Sequence, residues 1–583
     1  MSKLRKLARM GKDIGYETYY QHCWKKMPIQ ENRILFESRT GKEFAANLWY
    51  LLQEILAENV DYDIGILVTK ECREQVEKKF HRAGISKVTF VTVYSALYYQ
   101  WISTAKYLFV DTSMERVYVK REGQILLNTW HGTPLKKMGR DENTSAYAMW
   151  NIQRNFLMSD YLLYPSEAMC SLMMDAYQIG PLYQGKVLLE GYPRNSVFFK
   201  KEQNTIRKRL GLVGKQIIMY MPTWRGIVGK EKQQEQLVKT KEILEVLDAQ
   251  LKDTQVMYVK LHPFVNQALS AEGYRHIRNY EEPEDVYEFL TCCDTLITDY
   301  SSIFFDFANA GKKIILFPYD LEEYERERGL YINLEQLPFP IVHDVAELSQ
   351  ELQTEISYDD KEFLETFCTY DNADAAKRIV DHVLHGNKCC KEMVFENHQK
   401  KNVLLYGSEF GKSGITTALL NVFENINLQE KNYFVAIDEL ALEKDCKRLE
   451  LLPKDAYFMP AGNTMHFSLL EAVAYYLYFH WNRNGRWVQK KMKQLFQREC
   501  KRRFHRADFD QVIQYTGYEV RHIKLYQQFA CPTAIWVHND MLEEIKLRKN
   551  QHLLTLKEAY REYDAVAIVT EDLYEATRNI GGQ

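Results

Sequence analysis

Short apolar, β-prone segments alternate with helical segments along most of the chain. One series of strand-like segments lies within residues 31–190 and a second within residues 191–385. These segments are RILFES, DIGILVTK, KVTFVTVY, KYLFVDTS, QILLNTW, YLLYPS, KQIIMYMPTWR, QVMYVKLH, DTLITDYSS and KKIILFPYD. Strands that alternate with helices are typical of parallel sheets covered by helices. The pattern therefore predicts an α/β protein with two Rossmann-like domains around a cleft, and with ligands at the carboxyl ends of the strands.

The pattern changes at both ends of this region. Residues 1–30 are rich in Lys and Arg and predict a helix, which either is solvated or contacts an anionic membrane surface. Residues 386–401 are polar and predict a linker. Residues 402–583 begin a third α/β unit, with strand-like segments NVLLYG, NYFVAID, TAIWVHND and DAVAIVTED.

Composition narrows the class of protein. The 583 residues are 46% hydrophobic and carry a net charge of -3, which excludes a disordered chain and a globally basic nucleic-acid binder. The 11 cysteines have no zinc-ligand spacing and predict reduced thiols. The longest apolar run, residues 467–481, contains Glu471 and His480 and is too short to span a bilayer, so a buried helix is expected there.

The first group of candidate reactive residues follows the segment QILLNTW. His131 comes directly after it, and Gly132 and Pro134 predict a turn that places the imidazole at the strand's carboxyl end. A histidine there can accept a proton from an alcohol. Lys136, a few residues further on, could meet phosphate charge. A histidine that serves only packing is the alternative interpretation.

Two further groups follow strands of the second series. Arg225 lies after KQIIMYM, where a guanidinium can bind phosphate oxygens in a bidentate manner. His262 follows QVMYV, with Lys260 two residues earlier on the same face of the strand. A surface arginine and a packing histidine are the alternatives at these positions.

The fourth group is Asp299, Ser301 and Ser302. A buried strand is expected to end at Asp299, and a helix to begin near the two serines. Free N–H groups at a helix start and serine hydroxyls suit a phosphate, although the serines could equally cap the helix. None of the four groups contains a metal-ligand array, so we expect neither a metal nor a cofactor. The reaction class indicated is transfer from a nucleotide-activated donor.

These groups lie within a longer ordered set of motifs that resembles a known family. The motifs are HGTPLKKMG, YPSE, EGYPRNSVFF, MPTWRG, KLHP, LITDYSSIFFDFA and FPYDLEEYERERGLY. In this order they resemble the CDP-glycerol:poly(glycerophosphate) glycerophosphotransferases of teichoic acid and capsule polymer synthesis, over roughly residues 30–385.

The resemblance implies a GT-B fold and a reaction. A hydroxyl of a lipid-linked acceptor would attack the β-phosphorus of CDP-glycerol or a related CDP-alditol, and CMP would leave. His131 would be the general base and His262 the second essential histidine. The remaining matched residues, implied to bind substrate, are Thr133, Lys136, Arg225, Lys260, Asp299, Ser301 and Ser302. The resemblance also implies a peripheral location at the cytoplasmic membrane face.

Residues 402–580 resemble the N-terminal half of a retaining GT-B glycosyltransferase, with Gly407, Gly411 and Gly414 in the first loop. The donor-binding half of such an enzyme is not in the sequence, so we expect either that the chain is a fragment of a longer bifunctional polymerase, which is the favoured interpretation, or that this half serves binding. Three functional alternatives stay open at this point: a ribitolphosphotransferase, a sugar-nucleotide glycosyltransferase on the same fold, and a non-catalytic, membrane-associated scaffold that binds polymer.

Overall fold

The computed structural model describes residues 3–58, 60–142, 146–200, 203–223, 230–261, 273–280, 285–395, 400–462 and 464–582. The strands in these ranges are β1 Gln30–Glu37, β2 Asp63–Val68, β3 Thr89–Thr92, β4 Ala105–Val110, β5 Ile125–Asn128, β6 Tyr161–Tyr164, β7 Lys186–Leu189, β8 Gln216–Met221, β9 Gln255–Val259, β10 Ile277–Asn279, β11 Thr295–Thr298, β12 Lys313–Leu316, β13 Lys391–Met393, β14 Lys401–Ser408, β15 Lys431–Asp438, β16 Tyr457–Ala461, β17 Gln511–Gln514, β18 Thr533–Val537 and β19 Ala565–Ile568.

The helices in the same ranges flank these strands. They are α1 Lys3–Lys26, α2 Ala46–Ala57, α3 Arg73–Arg82, α4 Ala96–Thr104, α5 Trp150–Met158, α6 Glu167–Ala176, α7 Gln203–Arg209, α8 Lys230–Gln250, α9 Val286–Thr291, α10 Ile303–Ala308, α11 Leu321–Arg328, α12 Val345–Glu351, α13 Lys361–Phe367, α14 Ala375–Leu384, α15 Gly414–Asn425, α16 Glu439–Lys444, α17 Leu469–Trp481, α18 Arg486–Phe504, α19 Val520–Tyr526, α20 Met541–Leu547, α21 Leu553–Glu562 and α22 Tyr574–Gly581.

The strands form three sheets, in agreement with the predicted α/β class. The first has the order β13-β7-β6-β5-β4-β1-β2-β3, and the second has the order β10-β9-β8-β11-β12. Strands β11 and β12 are buried throughout, as expected where helices cover both faces of a parallel sheet. We call the parts of the chain built on these two sheets the first and second lobes.

The third sheet has the order β16-β15-β14-β17-β18-β19, and all its neighbours are parallel. Its first strand lies beside its fourth, which is the doubly wound Rossmann order.

This third unit packs tightly on the first lobe. The guanidinium of Arg154 donates to the carbonyl of Arg502 over 3.2 Å, and Arg502 donates to the carbonyl of Arg116 over 2.8 Å.

Two segments differ from the sequence-based expectation. The segment expected to be a linker contributes β13, which pairs antiparallel with β7 at the edge of the first sheet. The apolar run 467–481 does form a helix, but α17 is not buried all round, because Leu469, Val473 and Tyr476 are exposed. Hydrophobicity of the run indicated burial, whereas packing covers only one of its faces.

The N-terminal helix α1 packs against α4 and α17 through its second half. Tyr20 is buried there, and its hydroxyl accepts a hydrogen bond of 2.8 Å from the N–H of Val119. Gln21 donates to the carboxylate of Glu471 over 2.7 Å, which ties α1 to the third unit. Among the helices that the structure describes, none is both long and apolar enough to cross a bilayer.

Candidate active site

A tight turn at the end of β5 holds His131. Asn128 accepts a hydrogen bond of 2.9 Å from the N–H of Trp130 and donates one of 2.9 Å to the carbonyl of Thr112. Trp130 has a φ of 49°, which is rare for a residue other than glycine and is the kind of local strain that functional sites tolerate. The Trp130 and His131 rings stack with centroids 4.1 Å apart. The turn therefore fixes the imidazole at the carboxyl end of the sheet.

The hydrogen bonding of His131 defines its tautomer. Its Nδ1 lies 2.9 Å from the backbone carbonyl of Asp111, and a carbonyl can only accept, so Nδ1 carries the proton. Burial, with a smaller contribution from the Arg39 guanidinium, lowers the pKa of His131 to about 3, although the bond to Asp111 opposes the shift. The ring is therefore neutral near pH 7, with a free lone pair on Nε2.

Asp111 is itself held in place. Its carboxylate accepts hydrogen bonds of 2.7 Å from the Ser38 hydroxyl and 2.8 Å from the N–H of Arg39. These contacts fix the end of β4 relative to the end of β1. The carbonyl that orients His131 is thus part of a rigid strand terminus.

Gly132 brings the turn against the second lobe. A Cβ atom at this position would lie 2.9 Å from the Ser302 hydroxyl and 3.4 Å from Nη2 of Arg194. The φ of Gly132 is 146°, a conformation that other residues rarely adopt. The structure therefore brings together two of the groups predicted from sequence, the His131 turn and the serine pair.

Asp299 joins two strand ends of the second lobe. It lies directly after β11, and its carboxylate accepts a hydrogen bond of 2.8 Å from the N–H of Thr223, just after β8. Ser301 accepts a weak hydrogen bond of 3.4 Å from the N–H of Ile303, at the start of α10, whereas the side chain of Ser302 makes no cap bond to the helix. The Ser302 hydroxyl thus lies at the junction of the two lobes.

A buried ion pair supports this junction. Nη2 of Arg194 lies 3.0 Å from both carboxylate oxygens of Asp306, and both side chains are almost fully buried. The guanidinium also lies over the rings of Tyr192 and Tyr287. Nε and Nη1 of Arg194 have no hydrogen-bond partner among the described residues. Arg194 therefore carries a positive charge next to the His131 turn.

The segment after His131 continues across the junction. The N–H of Lys137 donates to the carbonyl of Gly329 over 3.2 Å. The ammonium of Lys136 lies 5.5 Å from the ring centre of Tyr324, which stacks on Tyr300 at 3.8 Å. Because Tyr300 directly follows Asp299, Lys136 lies close to the strand end that carries the fourth group.

A cleft of about 740 Å³ opens between the two lobes, within the size range of ligand-binding pockets. Lys260 lines it from the second lobe, together with Asp285, and Trp49 and Lys79 line it from the first. The Lys260 ammonium also lies 5.2 Å from the ring centre of Tyr280. The cleft is therefore lined by positively and negatively charged side chains and by the aromatic ring of Trp49.

The remaining predicted residues have different outcomes. Thr133 is buried, and its hydroxyl contacts the sulfur of Met169 at 3.5 Å, so its side chain serves packing in this structure. Arg225 and His262 lie outside the described residues.

Sequence reasoning missed the roles of Asp111 and Arg194. Arg194 lies in the motif EGYPRNSVFF, which could have indicated it, whereas no local signal distinguishes the carbonyl of Asp111.

Comparison with known proteins supports the motif-based resemblance. The sequence model of the CDP-Glycerol:Poly(glycerophosphate) glycerophosphotransferase family matches residues 18–385. The chain is 29% identical to a teichoic acid poly(glycerol phosphate) polymerase of Bacillus spizizenii, over 61% of this chain and 93% of that protein. It is 33% identical to the polymerase of the same name from Staphylococcus epidermidis, over 49% of this chain but only 42% of that longer protein. A teichoic acid ribitol-phosphate primase of Bacillus spizizenii is more distant, at 23% identity.

A solved structure agrees with the sequence matches. A histidine variant of the wall teichoic acid polymerase TagF, soaked with CDPG, superposes with a TM-score of 0.53 and 25% identity. The superposition covers 66% of this chain and 98% of the TagF chain. The similarity therefore extends over the two lobes, in sequence and in fold.

Proposed function

This chain belongs to the CDP-glycerol:poly(glycerophosphate) glycerophosphotransferase family, and we propose that it transfers glycerol phosphate from CDP-glycerol to a hydroxyl of a growing polymer. In this reaction the acceptor oxygen forms a bond to the β-phosphorus of the donor. The bond between that phosphorus and the bridging oxygen breaks, and CMP leaves. The greater similarity to glycerol-phosphate enzymes than to the ribitol-phosphate primase favours glycerol as the alditol.

The neutral, oriented imidazole of His131 is the single observation that carries this proposal. The Asp111 carbonyl holds the proton on Nδ1, so Nε2 is free to take the proton of the acceptor hydroxyl as its oxygen attacks. Its position where the lobes meet would place this base beside a substrate held between them. The acceptor proton then passes to His131 Nε2.

Donor phosphate is assigned to groups of the second lobe and the junction. Ser302 lies against the His131 turn, Lys136 lies over the Tyr324 ring just after that turn, and Lys260 lines the cleft between the lobes. Together with Asp299 and Ser301, and with Arg225 and His262 outside the described residues, they form the proposed donor site. These groups would offset the negative charge of the pyrophosphate during transfer.

The acceptor and the location follow from the same proposal. A lipid-linked polymer offers its terminal hydroxyl at a membrane surface, so the enzyme would act while bound peripherally to the cytoplasmic face. The membrane role of α1 stays a prediction from its sequence.

Substitution of His131 tests the mechanism. We expect His131→Ala to lower CMP release by about 10²–10⁴-fold while CDP-glycerol still binds, because a general base contributes on that scale to the chemical step. Calorimetric binding of CDP-glycerol is the readout that separates chemistry from affinity, and His343→Ala, an exposed histidine of the second lobe, is the matched control. Turnover by His131→Ala at the wild-type rate would remove the proposed base.

A competition experiment tests the substrate. CDP-glycerol and CDP-ribitol are supplied together with a lipid-linked acceptor analogue, and the products are weighed by mass spectrometry. We expect increments of glycerol phosphate. Increments of ribitol phosphate would establish the alternative alditol. In a parallel incubation with UDP-sugars, release of UDP, together with no release of CMP from the CDP-alditols, would establish a glycosyltransferase.

A further inference from the structure

The helical hairpin α17–α18 exposes an unusual apolar surface. Glu471, Ala474 and Tyr478 are the buried positions of α17, and the rest of the helix faces outward in large part. The large apolar side chains on the outside are between 43% and 61% exposed. They are Leu469, Leu470, Val473, Tyr476, Trp481 and Trp487. A solvent-facing helix surface is usually polar, so this one indicates a contact that the isolated chain does not make.

Aromatic and cationic side chains alternate at the tip of the hairpin. All residues from 481 to 487, the sequence WNRNGRW, are exposed. Trp481 and Trp487 flank Arg483 and Arg486, and the Tyr476 ring lies 5.7 Å from Trp481. Tryptophan and tyrosine beside arginine are typical of segments that lie at the boundary between lipid headgroups and acyl chains.

The exposed charge of the hairpin has one sign. Between residues 468 and 506, all of which the structure describes, the acids are Glu471 and Glu499. Both are buried, and each is paired with an internal arginine, Arg498 and Arg502 respectively. The exposed charged side chains in this range are cationic: Arg483, Arg486, Lys490, Lys493, Lys501 and Arg506, the last of which pairs with Asp160 of the first lobe.

We propose that the α17–α18 hairpin docks on an anionic lipid bilayer, with the Trp481 and Trp487 side chains among the headgroups and the exposed cations on lipid phosphate. An apolar surface flanked by cations, without exposed acids, matches such a bilayer in both apolarity and charge. A second copy of the same positive hairpin would meet like charge instead. Such docking would bring the enzyme to the membrane-bound acceptor that the proposed function requires.

The hairpin is also fixed relative to the catalytic lobes. Thr18 of α1 accepts a hydrogen bond of 2.8 Å from the N–H of Leu469, and Arg502 of α18 donates to the carbonyl of Arg116 in the first lobe. Docking of the hairpin would therefore set the position of the first lobe, and of His131 within it, relative to the bilayer surface.

Vesicle co-sedimentation of the full chain tests the proposal. The probes are vesicles of phosphatidylcholine alone and vesicles that also contain phosphatidylglycerol. We expect the wild type to bind the anionic vesicles, and to bind less as salt is added. Arg483→Gln with Arg486→Gln should weaken this binding about thirtyfold. Each of the two cations near an anionic surface is expected to contribute about a fivefold factor to the affinity. Trp481→Ser with Trp487→Ser should weaken binding to both kinds of vesicle.

Matched variants outside the hairpin separate this surface from charge or apolarity in general. Lys444→Gln with Lys447→Gln removes two exposed cations, and Leu547→Ser removes an exposed apolar side chain. These variants should bind as the wild type does. Circular dichroism checks that every variant is folded.

Several results would overturn the proposal. The first is a wild-type chain that binds no anionic vesicles, and the second is a set of hairpin variants that bind as well as the wild type. The third is a wild type that binds no vesicles but self-associates, with the self-association abolished in the tryptophan variants. Failure of the proposed function is distinguishable, because CMP release with a water-soluble acceptor requires no vesicles. A wild type that binds vesicles but releases no CMP would contradict the enzyme assignment and leave the docking surface in place.

Discussion

The guanidinium of Arg194 and the carboxylate of Asp306 form an ion pair where the two lobes meet, with Nη2 3.0 Å from each carboxylate oxygen. Burial alone disfavours both charges, so each depends on the other. The pair lies next to the glycine that follows the candidate base, because Nη2 of Arg194 is 3.4 Å from the position of a Cβ atom on Gly132. The packing of the junction and the geometry of the site therefore depend on the same contact.

Removal of one partner of this pair should destabilise the protein strongly. We expect Asp306→Ala to lower the free energy of unfolding by about 3–5 kcal/mol, because it leaves a buried guanidinium without its counter-ion. Urea denaturation measures the change. The exposed pair Glu74–Lys78 is the control, and Glu74→Ala should cost about 0–1 kcal/mol.

The double variant Arg194→Met with Asp306→Leu refines this prediction. Replacement of both charges by apolar side chains should recover part of the stability that Asp306→Ala loses, while activity stays low if the positive charge of Arg194 serves the site. If Asp306→Ala were as stable as Glu74→Ala, the ion pair would not hold the lobes together.

Gly132 is expected to tolerate no side chain. In Gly132→Ala the new methyl group would lie 2.9 Å from the Ser302 hydroxyl, and the positive φ would add backbone strain. We expect CMP release to fall about 100-fold, since a displacement on the order of 1 Å at a reacting group has this effect.

Gly84→Ala is the matched control for this change, because Gly84 also has a positive φ, of 70°, but open space around its Cα. It should lose about 1 kcal/mol of stability and little activity. Ser302→Gly in the Gly132→Ala background should recover the backbone position. Full activity of Gly132→Ala would show that the turn does not need its contact with the second lobe.

The depressed pKa of His131 predicts a particular pH dependence. Burial and the Arg39 guanidinium lower the pKa to about 3, so the neutral ring persists in the free enzyme well below pH 6.5. The acid limb of kcat/KM should accordingly show no inflection from His131 near pH 6.5, since this parameter reports ionisations of the free enzyme. Histidine resonances followed by NMR, assigned through His131→Ala, check this directly. A His131 midpoint between pH 6 and pH 7 would contradict it.

The same shift has a consequence for stability. The unfolded chain takes up a proton on His131 near pH 6.5, whereas the folded chain does so only near pH 3. In that window the unfolded state binds more protons, so the contribution of His131 to folding stability decreases as the pH falls from about 6.5. His131→Asn should therefore show a weaker loss of stability on acidification than the wild type in urea denaturation.

Lys136 is expected to affect donor binding more than chemistry. Its ammonium lies over Tyr324, close to the strand end that carries Asp299. We expect Lys136→Met to raise KM for CDP-glycerol about tenfold or more, the effect of losing one charge-assisted contact. Lys136→Arg should recover much of the loss, and Lys87→Met, an exposed lysine elsewhere in the first lobe, should have no effect. A fall in kcat with unchanged KM would contradict a binding role.

The sequence by itself determined the strand and helix rhythm, the parallel α/β class and the family. These features depend on local periodicity and on short motifs in a fixed order, which are present in the chain before it folds. His131 could be assigned to a strand end in the same way, because a strand of apolar residues is followed at once by a turn-forming Gly and Pro.

Only the tertiary structure decided which distant residues meet. The pairing of Arg194 with Asp306, the approach of Gly132 to Ser302 and the carbonyl of Asp111 that sets the His131 tautomer join segments far apart in sequence. Local patterns carry no information about such contacts, since they arise from the packing of whole lobes. For the same reason hydrophobicity predicted burial for residues 467–481, whereas the packed structure leaves one face of that helix open.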